Sequence, residues 1–160
     1  MIDPAFELGE NQEFIGQYSW RLKDGELRYR GSNQYAGLVN RRIPVSQLQL
    51  DSFIAALNLL EVWNWRDDYD PLDTGMEVLD GGQWWFRARL EGRECQSSGW
   101  NAFPSYSDPT TTSLSPQRFA LLRTCLYDSF DIDAYIRQAQ IQKQNTSIEE
   151  NDSLDTNRFD

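Results

Sequence analysis

The chain has 160 residues, six tryptophans, an aromatic share of 13% and a net charge of -10. This is the size of one domain, large enough to bury a core without disulfide or metal. Despite a mean hydropathy of -0.66, aromatic residues are plentiful, and no run approaches the roughly 18–20 apolar residues of a membrane span.

The opening residues 1–10 carry Asp3, Glu7 and Glu10 and no basic side chain, unlike the positive start of a secretory signal. Cys95 and Cys125 are far apart and have no metal-ligand spacing, so two free thiols in a reducing cytoplasm are expected. Charge is unevenly placed: residues 16–60 carry +3, residues 61–82 carry -6 and the tail from 143 to 160 carries -3. Such a balance disfavours direct nucleic-acid binding and suits a basic protein partner.

The first clear element is a hairpin. Residues 18–23 and 26–31 flank Asp24-Gly25, a two-residue turn of the kind that takes positive φ. Pairing outward from the turn sets Lys23 against Glu26, Leu22 against Leu27, Arg21 against Arg28 and Trp20 against Tyr29. Apolar residues fall on one face and Arg21, Arg28 and Arg30 on the other. Arg21 opposite Arg28 is a like-charge pair that asks for an acidic neighbour, which the chain's own acidic segments could supply. Ser46 and Gln49 have capping-box spacing, and Leu50, Phe53, Ile54, Leu57 and Leu60 recur at helical period.

Residues 61–75 interleave Trp63, Trp65 and Tyr69 with Asp67, Asp68, Asp70 and Asp73, and read as a long loop leading to a short strand from Met76 to Leu79. A second hairpin turns at Glu91-Gly92. Trp84, Phe86, Ala88, Leu90 and Cys95 share one face, Trp85, Arg87, Arg89, Glu94 and Gln96 the other, with Arg89 opposite Glu94. Ser115 and Pro116 read as the start of a helix carrying Phe119, Leu122 and Leu126 inward. Asp131 precedes a short last helix with Ile132, Tyr135, Ile136 and Ala139 on one side. After Lys143 the composition is that of a disordered acidic tail.

The run from Gly31 to Tyr35 and the run from Gly99 to Phe103 both read Gly-x-Asn-x-aromatic. Each ends a hairpin and precedes a helix. The expected fold is α+β, an antiparallel sheet of four to five strands built from two ββα-like units, with helices on one face. It occupies residues 1–142 as a single domain, followed by the tail from 143 to 160. Asp80, Gly81, Trp84, Gly92, Ser97, Gly99, Asn101, Ala102, Phe103 and Pro104 together resemble a pattern found in uncharacterised bacterial proteins. The resemblance covers about 25 of the 160 residues. It implies an α+β domain of bacterial type and carries no catalytic assignment.

The absence of histidine removes Ser-His and Cys-His nucleophile pairs and His-based metal sites. No phosphate-binding Gly-rich loop occurs. Asp67, Asp68, Asp70 and Asp73, with Glu77 and Asp80 behind them, could do acid–base work or hold Ca²⁺ or Mg²⁺. The EF-hand pattern fails, because Leu72 takes the fifth position from Asp68 and neither the sixth-position Gly nor the twelfth-position Glu is present. No catalytic, cofactor or metal residue is therefore assigned. The candidate contact residues are Trp63, Trp65, Asp67, Asp68, Tyr69, Asp70, Asp73, Trp85, Trp100 and Asn101, since aromatic side chains beside charges typify interfaces. The expected function is a protein-binding module of immunity or inhibitor type that meets a basic partner, such as a nuclease-like toxin, through the acidic loop. An accessory or scaffold subunit using the hairpin's basic face is the alternative, and a carboxylate-based hydrolase the third.

Overall fold

The computed structural model describes residues 4–37 and 42–156. The elements in chain order are β1 (Ala5–Gln12), β2 (Gly16–Lys23), β3 (Glu26–Gly31), β4 (Ile43–Pro44), α1 (Gln47–Leu59), β5 (Asp68–Tyr69), β6 (Gln83–Leu90), β7 (Arg93–Trp100), β8 (Phe103–Pro104), β9 (Thr112–Ser113), α2 (Gln117–Ser129) and α3 (Ile132–Thr156). Among the described residues the main sheet has the order β4-β3-β2-β1-β6-β7-β5, and β8 and β9 form a small ladder of their own. Five of the six strand pairings are antiparallel, while β5 joins β7 in parallel at one edge. The fold is α+β as expected, but the sheet is larger than four or five strands and mixed rather than purely antiparallel.

Both hairpins have the anticipated register. Lys23 pairs with Glu26, Arg21 with Arg28 and Trp20 with Tyr29. Leu90 pairs with Arg93 and Arg89 with Glu94. The added strand is not where it was expected. Residues 76–79 are not a strand, and the sheet is joined instead by β1, which lies between β2 and β6. Sequence alternation hides β1. Phe6 and Leu8 point inward, but the next inward position is Glu10, an acid in an apolar place, and Gly9 interrupts the outward side. Glu10 is tolerated because Tyr18 Oη donates to its Oε2, and Arg123 Nη1 lies 3.0 Å from each of its carboxylate oxygens. A buried charge is kept only when paired in this way.

The inward face of the sheet packs on α1, α2 and the start of α3. Phe6 meets Phe53 with ring centres 4.8 Å apart and Phe130 at 5.8 Å. Leu50, Phe53, Ile54 and Leu57 of α1 and Phe119, Leu122 and Leu126 of α2 are buried there. The capping box of α1 forms, with the Ser46 and Gln49 side chains each bonded to the other's backbone. Helix α2 begins one residue later than Ser115-Pro116 suggests, with Pro116 as its cap and no side-chain cap bond. Arg118 is buried within α2, and its guanidinium donates to the carbonyls of Leu60, Ser105 and Tyr106. It thereby ties the end of α1 to the loop after β8. Asp131 precedes α3, with Ile132 and Ile136 buried as expected. From Lys143, where a tail was anticipated, the helix continues to Thr156.

The two hairpins lie in mirror order about β1: β2 then β3 on one side, β6 then β7 on the other. β2 and β6 both run antiparallel to β1, and the helices pack on one face. Strand direction, direction of growth and helix side therefore form triads of opposite hand, and no rotation superimposes one hairpin unit on the other. The ββα units share an order in sequence but not a geometry.

Candidate functional site

The residues of the second Gly-x-Asn phrase form a structural latch. Asn101 has φ 52, in the left-handed region that Asn tolerates better than most residues. Its Oδ1 accepts from Gly82 N at 2.9 Å and its Nδ2 donates to the Asp80 carbonyl at 2.6 Å. Gly81 stands at φ 146, and a Cβ there would lie 1.9 Å from the Asn101 amide. Trp84 Nε1 donates to the Ala102 carbonyl at 2.8 Å, and a Cβ on Gly99 would strike the same carbonyl at 2.2 Å. Ser97 Oγ donates to the Arg66 carbonyl at 2.7 Å. Asp80-Gly81, Trp84, Gly99 and Asn101 thus fasten the start of β6 to the end of β7, while Ser97 ties β7 to the segment before β5. In the first phrase, Asn33 Oδ1 accepts from Tyr35 N at 2.9 Å and from the Tyr29 hydroxyl of the adjoining β3, so its bonds stay local in sequence.

The acidic segment is more ordered than its composition suggests. Asp70 caps a short helical turn, Pro71–Thr74, its Oδ1 accepting from Leu72 N at 2.9 Å. Asp73 accepts from Thr112 Oγ1 at 2.6 Å and from Arg66 Nη1 at 2.8 Å, and these bonds hold its carboxyl below the usual range. Tyr69 is buried and its hydroxyl donates to the Pro109 carbonyl. The backbone carbonyl of Asp67 and the side chain of Asp68 face Ser98. The apolar side chains of the following stretch point outward: Leu72 is 66% exposed, Met76 53% and Leu79 85%.

The anticipated contact residues divide accordingly. Trp65 and Tyr69 lie in the core, which removes them from any contact surface. Aromatic enrichment misleads here because tryptophan fills large interiors as readily as interfaces. Trp63 is half-buried, donates to Asn58 Oδ1 at 2.8 Å and lies under the Arg93 guanidinium, 4.4 Å from the ring centre. Asn101 is committed to the latch. Asp67, Asp68, Asp70 and Asp73 are exposed on one segment, whereas Trp85 and Trp100 belong to the helix-free face of the sheet. Exposed Leu72, Met76 and Leu79 were not anticipated. A stretch expected to be a strand gave no reason to place two of them outside.

The carboxylates do not form a chelating group, because among the described residues no three of His, Cys, Asp and Glu gather closely enough to hold a metal ion. Cys95 and Cys125 are both free. Burial pushes the Cys95 thiol up to about 12, with Asp67 adding to the shift, so it is a poor nucleophile. Among the described residues no helix is long and apolar enough to cross a membrane. Comparison with family models, with curated proteins and with solved structures finds no match to this chain.

Proposed function

We propose that this protein is a non-catalytic binding module, inhibitor-like in action, that seats residues 66–80 against a basic protein surface. The observation that carries this is the exposure of Leu72, Met76 and Leu79 within a segment that also presents Asp67, Asp68, Asp70, Asp73, Glu77 and Asp80. Apolar anchors within a charged surround are the composition of an interface centre. The segment is also preorganised. Buried Tyr69, the Asp70 cap and the Asp73–Arg66–Thr112 bonds fix it before any partner arrives, which lowers the ordering cost of association. The free thiols suit a reducing compartment such as the cytoplasm.

The test is capture from lysate of the source organism, at low and moderate salt, with the wild type and two double variants. Leu72→Ser with Leu79→Ser removes anchors, and Asp67→Asn with Asp68→Asn removes charge while sparing the structural Asp70 and Asp73. A single stoichiometric basic protein is expected, lost with the first variant. With the second, its association rate should fall about tenfold and lose much of its salt dependence. Full retention of that partner by both variants would overturn the proposal.

A further inference from the structure

Among the described residues, strands β2, β3 and β6 present Arg21, Lys23, Arg28, Arg30, Arg87 and Arg89 on the sheet face opposite the helices, in a chain whose net charge is -10. Arg21 pairs with Glu7 at 2.7 Å and Arg28 with Glu26 at 2.9 Å, which resolves the like-charge contact between the two arginines. Lys23, Arg30, Arg87 and Arg89 form no ion pair among the described residues. Arg89 stands in register with Glu94 without bridging to it.

Four of these cations, Arg21, Lys23, Arg87 and Arg89, are arranged about a trough. The outward residues of β1 include Ala5 and Gly9, both small, with Glu7 between them, its carboxylate held by Arg21 and by Trp85 Nε1, so that Lys23, Arg87 and Arg89 are the cations left for a ligand. Over Ala5 lies a groove of about 610 Å³, with Arg21 and Lys23 on one bank and Arg87 and Arg89 on the other. The two banks are separated only by β1, so they stand roughly 9–10 Å apart at the backbone. Within each bank the cations are two residues apart, about 6.7 Å along a strand. Above the trough the half-buried Trp85 lies over Gly9, so closely that a Cβ there would come 2.1 Å from the indole ring.

We propose that this trough docks an extended acidic segment of a partner protein. Successive side chains of an extended chain point to opposite sides, so neighbouring carboxylates reach opposite banks. Alternate ones repeat at the period of the cations. A nucleic-acid strand fits less well. The groove's lining offers no exposed aromatic ring on which bases could stack, its one ring, Phe6, being buried in the core.

The test is fluorescence anisotropy with fluorescein-labelled hexaglutamate on the intact protein at moderate salt. Saturable binding is expected. Arg87→Glu with Arg89→Glu, both exposed and unpaired, should weaken it more than about tenfold. Arg137→Glu with Lys143→Glu on α3 makes the same change in net charge away from the face, and should weaken it less than about threefold. A labelled oligothymidylate of equal length should bind more weakly than hexaglutamate. Absence of hexaglutamate binding, equal losses in the two double variants, or tighter binding of oligothymidylate would each overturn the proposal.

Discussion

Asn101 uses both ends of its amide to bridge Asp80 and Gly82 while its own backbone sits at φ 52. Asn101→Ala is therefore expected to lower unfolding free energy by about 1–2 kcal/mol, the cost of stranding the half-buried Gly82 N–H and losing the bond to the exposed Asp80 carbonyl, read as a fall in the urea midpoint. Gly81→Ala should cost at least as much, since it combines an unfavourable φ with a 1.9 Å collision. The Gly and Asn letters of this latch were legible in the sequence. Their bonding across nineteen to twenty-one positions was not, because a side-chain amide can bond locally in sequence equally well, as Asn33 does. Cys95 leads to a second expectation. Its thiol pKa rises from 9.0 to about 12 on folding, so between those values the folded chain keeps a proton that the unfolded chain releases. Its contribution is complete below pH 9 and declines as pH climbs towards 12. Denaturant midpoints measured across that window should fall less steeply in Cys95→Ala than in the wild type.

At the scale of elements, β1 has the greatest consequence. It contributes Phe6 and Leu8 to the core and pairs along its length with both β2 and β6. Leu8→Ala is expected to cost about 2–5 kcal/mol, whereas Leu48→Ala, at an 80% exposed position of α1, should stay within about 0.5 kcal/mol; urea unfolding of the two separates them. The hairpins and helices could be read in advance because turn residues and apolar period agree locally, as at Asp24-Gly25 and in α1. Strand β1 could not, because only two apolar residues mark it and the third inward position, Glu10, is made acceptable by Arg123 from α2, 113 residues away. The acidic segment was recognised by composition. Its anchors were misplaced, since sequence alone does not tell the buried Trp65 and Tyr69 from an exposed aromatic surface.

At the scale of the molecule, charge is sorted. The 61–82 stretch carries a net -6, whereas among the described residues the strands of the helix-free face present Arg21, Lys23, Arg28, Arg30, Arg87 and Arg89. Two surfaces of opposite character can thus coexist in one acidic chain without cancelling, and raised salt should weaken both, the exposed loop and the exposed trough alike. The central place of β1 also has a bearing on biosynthesis. During synthesis β1, β2 and β3 emerge together and can pair at once. The other edge of β1 has no partner until the ribosome has travelled from residue 12 to residue 90. At about 5–20 residues per second that interval is about 4–16 seconds. For those seconds the nascent chain presents an open strand edge, and Glu7 and Glu10 along it act as gatekeepers against pairing with a neighbouring chain.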